Sequence, residues 1–176
     1  MKKGLLLGML CWLAFPALAD DSCQWPLWEQ FKERHLSADG RVIDWRQNAI
    51  TTSEGQAYGM FFALVANDRE VFDHLLQWSE NNLARGDLQR HLPAWKWGAD
   101  DTGQWTVLDA NNASDADLWM AYTLLEAGRL WQQPGYRHLA HRLLWRIAAQ
   151  TLRPLPGLGL MLLPGDQGFV KAEGTR

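Results

Sequence analysis

The chain has 176 residues, 47% of them hydrophobic and 21% charged, a balance that excludes a disordered or low-complexity protein and leaves one globular domain as the expectation. Its formal charge is −3, or −5 (15 basic against 20 acidic residues) once Lys2 and Lys3 leave with the leader described below. It therefore lacks the electrostatic footprint of a nucleic-acid or anionic-membrane binder. Eleven Trp stand beside three Tyr and six Phe, more indole than a core of this size requires.

Residues 1–19 read as a secretory signal peptide. Lys2 and Lys3 form a positive start, Leu5 to Leu13 is apolar, and Ala17-Leu18-Ala19 fits a cleavage site, so Asp20 opens the mature chain. The apolar run is too short for the ~20 residues of a membrane span, and Pro16 follows it. A bacterial periplasmic or secreted protein with no membrane span after cleavage is expected. Cys11 leaves with the leader. Cys23, preceded by Asp20-Asp21-Ser22 rather than a lipobox, reads as a buried or incidental thiol.

The rest of the chain, residues 20–176, is predicted to be helices joined by loops, with little strand signal. Trp25 to Leu36 carries Trp28 and Phe31 at helical spacing. Ala57 to Ala66 is apolar almost all round, with Tyr58, Met60, Phe61, Phe62, Leu64 and Val65, so this helix should be buried on most sides. Val71 to Leu83 is amphipathic through Val71, Leu75, Trp78 and Leu83. The stretch from Ala84 to Asn112, rich in Gly, Asp, Asn and Trp, reads as a long irregular segment. Ala116 to Trp131 is a second apolar helix, and Tyr136 to Leu152 a second amphipathic one with Leu139, Leu143, Leu144 and Ile147 inside. After Pro154, Gly and Pro punctuate an apolar run at Leu160 to Leu163, a loop or a small strand pair.

A buried helix followed by an amphipathic one thus occurs twice, the pattern of stacked helical hairpins with inner helices covered by outer ones. Both buried helices open alike. Ser53-Glu54-Gly55-Gln56 reads as a Ser-x-x-Gln capping box, and Ser114-Asp115-Ala116-Asp117 as its Ser-x-x-Asp variant. Each places an acid, Glu54 or Asp115, at the first helical position. Such acids commonly do no more than complement the helix dipole, by about 0.3–1 kcal/mol. Here they stand before helices too apolar for the surface, among the small residues Gly55, Ala57, Ala113 and Ala116. Between them lies the tryptophan-rich loop Trp95-Lys96-Trp97-Gly98 and Trp105. Indole faces beside carboxylates suit a sugar ring, although Trp95 and Trp97 suit a core equally well. Two carboxylates flanking a sugar are the machinery of glycoside hydrolysis, one protonated and one ionised. A helix N-terminus favours the ionised form, so a neighbouring carboxylate and desolvation must act against it at the acid.

Other signals are weaker. His138 and His141 are three apart on a predicted helix, without a third ligand at metal spacing, and Gly157-x-Gly159 lacks the strand and helix of a nucleotide loop. No metal or cofactor is expected.

Thr51-Thr52-Ser53-Glu54-Gly55-Gln56-Ala57-Tyr58-Gly59-Met60 and Ala113-Ser114-Asp115-Ala116-Asp117-Leu118-Trp119-Met120-Ala121 resemble the two leading motifs of glycoside hydrolase family 8. Trp25 to Phe31, Arg41 to Asp44, Leu92 to Trp95 and Pro156 to Gly159 are similar to that family too, the resemblance running from about Cys23 to Gly168. It implies an all-α (α/α)6 barrel with an acidic cleft across the inner-helix N-termini, and hydrolysis of β-1,4-glucan (cellulose) with inversion. A functional link to bacterial cellulose synthase is implied as well. Glu54 falls on the proton donor. Asp115 falls on the signature aspartate, described as the second catalytic carboxylate or as the residue gripping the distorted sugar. Tyr58, Trp95, Trp97, Asp117 and Trp119 fall where cleft contacts are expected. The departure is length: twelve helices with ordinary loops need on the order of 250 residues, so five or six helices of a partial barrel are expected, without the later half that holds the usual base aspartate. Inner-helix faces would then be uncovered. A glucan-binding remnant without turnover, or a misfolded product, are the competing readings.

Overall fold

The computed structural model describes residues 25–170. The leader, its cleavage site, Cys11, Cys23 and the tail from Lys171 lie outside the described residues. Five helices carry the fold: α1 (Pro26–His35), α2 (Ser53–Val65), α3 (Arg69–Leu83), α4 (Ser114–Leu130) and α5 (Pro134–Thr151). They include every predicted helix, each starting within four residues of its predicted start. The shifts at α2 and α4 follow from the polar residues of their first turns, which carry no apolar period but are helical.

The helices pair as expected, α2 with α3 and α4 with α5, and α2 packs along α4. The shared core is built from one face of each: Met60 and Ala63 of α2, Phe72 and Leu75 of α3, Met120 and Leu124 of α4, Leu143 and Ile147 of α5. Phe72, fully buried, was missed beside Val71 in the sequence because adjacent apolar residues leave the phase of a helix ambiguous. Asp68 starts α3 by accepting from the Val71 amide (3.3 Å). It also takes the Trp28 indole N–H (3.0 Å) and the Lys32 ammonium (2.9 Å), fastening α1 to the hairpin.

The segment from Ala84 to Asn112 is more ordered than predicted. It contains β2 (Lys96–Ala99) and β3 (Trp105–Asp109), which with β1 (Thr51–Thr52) form an antiparallel sheet of order β1-β2-β3. Thr51 faces Trp97 and Thr52 faces Lys96; Trp97 faces Val107 beyond an irregularity at Lys96/Trp97. Strands of two to five residues are too short to display a period, so only the pairing reveals them. The apolar run after Pro154 is indeed a strand pair, β4 (Leu152–Leu155) with β5 (Gly159–Leu162).

A second correction concerns burial. The prediction that α2 and α4 are enclosed on most sides fails along one face, where Tyr58, Phe62, Val65, Leu118, Trp119, Tyr122 and Leu130 are exposed. Hydrophobicity all round reports what a helix can bury; here the Trp25 and Phe31 rings reach Phe62 edge-on at 5.9 and 6.4 Å, and the rest of the face is open, as expected for the inner helices of a partial barrel.

Neither capping box forms. Thr52, not Ser53, caps α2 by accepting from the Gly55 amide (3.1 Å). Gln56 turns inward instead, accepting from the Val42 amide (2.6 Å) and donating to the Gly40 and Leu75 carbonyls and the Ser79 hydroxyl (3.1, 3.2 and 3.0 Å). This one buried amide joins α2, α3 and the loop before β1. Gly40 makes the junction possible: its φ is +92°, and a side chain there would collide with the His74 carbonyl. Gln56→Leu should therefore destabilise the chain by about 3–5 kcal/mol, since buried backbone groups lose their partner. Urea unfolding checks this, and a loss under ~1 kcal/mol would show the amide to be dispensable.

Candidate functional site

The sheet explains why the helix starts that carry Glu54 and Asp115 lie at one end of the molecule. β1 runs straight into α2, and the Ser53 amide donates to the Trp95 carbonyl (3.0 Å) just before β2. The Trp95 amide donates in turn to the Asn111 carbonyl (2.7 Å), three residues before α4 begins. One backbone relay thus brings the N-termini of both inner helices to one end of the molecule. Both acids are the second residue of their helix, not the first. Glu54 is half-buried and Asp115 exposed. Ser53 Oγ donates to Glu54 Oε2 at a long 3.4 Å.

Tyr58 and Trp119 follow these acids by four residues on their helices, so each stands one turn below its carboxylate. They are 45% and 36% exposed, and their rings meet edge to face at 5.8 Å. Phe61 (5.1 Å) and Tyr122 (5.8 Å) extend the aromatic surface from Trp119. Sequence reasoning did not single out Phe61 or Tyr122 as site residues. The signal was present, since three or four residues beyond Tyr58 and Trp119 is the same helical face.

Trp95 and Trp97 are both half-buried and differ in role. Trp97 belongs to a stack: edge-on to Trp78 of α3 (5.2 Å), parallel to Trp105 (5.0 Å), with the Arg41 guanidinium over both Trp97 (5.1 Å) and Trp105 (4.8 Å). Arg41 was quoted in the sequence only as part of a motif; nothing there indicated that it bridges two indoles 56 and 64 positions on. Trp95 donates its indole N–H to Asp109. That bond, with the Asn111 amide, holds the Asp109 carboxyl below its ordinary value. The Lys96 ammonium lies 5.5 Å from the Trp95 ring centre.

Asp117 does not line an open cleft: it is fully buried at 0% exposure. It does not cap α4 either, whose N-cap Ala113 offers no side chain. Its Oδ2 accepts from Asn112 Nδ2 (2.6 Å), while its Oδ1 and the Ser114 hydroxyl are buried without a partner among the described residues. Burial pushes its carboxyl up to about 7, the Asn112 bond opposes this, and the charges of Asp115 and Glu54 add to the rise. These three carboxylates thus form one electrostatic cluster, its innermost member holding a proton near neutral pH. Asn112 also clamps the segment after β5, its Oδ1 accepting from the Asp166 amide (2.8 Å), while the Ser114 amide donates to the Pro164 carbonyl (2.8 Å). Gly165 leaves room for that contact; a side chain there would strike the Asn112 carbonyl.

His138 and His141 are exposed on α5, and among the described residues no three potential metal ligands come together. No described helix is long and apolar enough to cross a membrane.

Paired inner helices presenting carboxylates at their N-termini, with exposed aromatics one turn below, are the arrangement of one side of a helical barrel. The chain matches the glycosyl hydrolases family 8 over residues 3–176, and it belongs to that family. It is 54% identical to an endoglucanase of Escherichia coli O157:H7, over the whole of this chain and 47% of that protein. It is 51% identical to an endoglucanase of Xanthomonas axonopodis pv. citri, over 97% of this chain and 45% of that one. The crystal structure of an endo-1,4-D-glucanase from Vibrio fischeri ES114 superimposes with a TM-score of 0.81 at 51% identity, over 85% of this chain and 43% of that chain. The five helices are accordingly part of an (α/α)6 barrel, and the chain spans under half the length of these relatives.

Proposed function

We propose that this chain acts in endo-1,4-β-glucan hydrolysis, with Glu54 as proton donor and Asp115 as the carboxylate facing it. The observation that carries the reading is the pair of acids at adjoining inner-helix N-termini, each one turn above an exposed aromatic, Tyr58 or Trp119. A glucan ring seated on that floor has its glycosidic oxygen beside Glu54. The acid gives its proton to the leaving oxygen as the C–O bond breaks. On the opposite face of the sugar Asp115, the ionised carboxylate that this chain itself supplies, takes a proton from water, whose oxygen forms the new bond, and the configuration inverts. That course requires carboxyl groups about 6.5–9.5 Å apart. The names of relatives more than 50% identical support the substrate class. The leader-like start of the sequence, with Lys2, Lys3 and Ala17-Leu18-Ala19, supports export to the periplasm. A functional link to cellulose synthesis belongs to the same reading and rests on resemblance alone.

The test is release of reducing ends from a soluble cellulose derivative by the chain, beside calorimetric binding of cello-oligosaccharides. Turnover is expected. A folded chain that binds the oligosaccharides without cleaving the polymer would replace this reading with a glucan-binding one. Trp119→Ala should weaken oligosaccharide affinity by about 5- to 10-fold, the worth of one aromatic platform. Unchanged affinity would remove Trp119 from the sugar path.

A further inference from the structure

A cavity of about 510 Å³ lies on the outer side of the α2 N-terminus, lined by Trp45, Arg46, His35, Ile50, Thr52 and Gly55 among others. Trp45 is 60% exposed, yet it is not loose. Its indole N–H donates to the Arg34 carbonyl at 2.6 Å. The one-turn 3-10 helix Trp45–Gln47 that carries it is pinned by Asp44, which accepts from the Arg46 amide (2.9 Å) and the Gln47 side-chain amide (3.0 Å). The polar edge of the indole is thus satisfied within the protein, and what remains open is apolar face held in a fixed orientation. Such a platform gives up little side-chain freedom on binding.

The polar groups around it complement a sugar ring. The Arg46 side chain has no hydrogen bond or ion pair among the described residues, leaving its donors free for hydroxyls. His35 has Nδ1 3.1 Å from the Ile43 carbonyl, so that nitrogen donates and the ring is held in place at the cavity wall. Thr52 and Gly55, which line the cavity, flank Glu54 in the chain, so the cavity lies beside the first turn of α2, although Glu54 itself does not line it.

We propose that Trp45 and Arg46 form an accessory subsite that holds a pyranose of the β-1,4-glucan chain beyond the cleavage region, so that longer chains bind more tightly than short ones. The inference rests on the glucan reading above and adds a determinant of chain length to it. Part of the tryptophan surplus in the composition finds a use here.

Calorimetry with cellotriose and cellohexaose on the wild-type chain, Trp45→Ala, Trp45→Phe and Trp119→Ala tests it. Trp45→Ala should weaken cellohexaose about 5- to 10-fold and cellotriose less than 2-fold, with Trp45→Phe recovering most of the loss. Trp119→Ala should weaken both ligands. Trp45 is exposed, so matching thermal unfolding of the variants is expected. Cellohexaose affinity unchanged in Trp45→Ala but reduced in Trp119→Ala would overturn the subsite and leave the glucan reading standing. An equal loss for both oligosaccharides would also overturn it, since Trp45 would then belong to the cleavage region. A wild-type chain that binds neither oligosaccharide would overturn both readings.

Discussion

Replacing Glu54 by Gln should lower turnover of a soluble cellulose derivative by about 10²- to 10⁴-fold, the usual worth of a general acid, while cello-oligosaccharide affinity stays within about twofold. The amide has the shape of the carboxyl group and cannot deliver a proton to the leaving oxygen. The fold makes little demand on this side chain. It is half-buried, and its hydrogen bond to Ser53 is long. The start of α2 is held by the Thr52 cap and by the Ser53 amide on Trp95. A fall in activity with unchanged unfolding would therefore be chemical. Asp115→Asn, measured alongside, should cost a comparable factor if that carboxylate activates water, and should mainly weaken binding if it grips the sugar. Activity retained in Glu54→Gln would dismiss Glu54 from the mechanism, however well its motif matches.

The helices were legible because apolar residues at α2 to α5 recur often enough to display a period, and the two hairpins followed from that alternation. What the sequence did not disclose is long-range pairing through short segments. Thr51 and Thr52 look like helix preamble until Lys96 and Trp97 are seen opposite them. The capping boxes were misread for a related reason. Ser-x-x-Gln is a local pattern, but Gln56 has four partners outside its own turn, which outbid the single bond a box would give it. Glu54 and Asp115 stand at helix starts as read from the sequence; that one backbone relay through Trp95 and Asn111 joins those starts could not be read there. Asp117 shows the limit of motif reasoning. The family resemblance put it among the cleft contacts, yet residues two apart on a helix face different sides, and its side chain goes inward.

That inward carboxyl gives the second large expected effect, on stability against pH. An acid whose folded value rises from 3.8 to about 7 leaves stability intact below the unfolded value, where both states are protonated. Stability is then lost as pH climbs from about 4 through about 7, because unfolding lets the carboxyl ionise in water. At ~1.4 kcal/mol per unit the loss approaches about 4 kcal/mol by pH 8. Asp117→Asn mimics the protonated acid. Its amide oxygen can still accept from Asn112, and its NH₂ takes the place of the oxygen that has no partner. The variant should thus exceed the wild type in urea by only about 1 kcal/mol at pH 4.5 and by several kcal/mol at pH 8, the gap opening steadily between about pH 4 and 7. Parallel stability profiles would mean that Asp117 is ionised in the folded chain, and the three-carboxylate cluster would then carry its full negative charge at neutral pH. If the gap opens as expected, Asp117 carries its proton up to about pH 7. Glu54 and Asp115 would then face one buried charge fewer, because the buried carboxyl that could repel them both stays neutral.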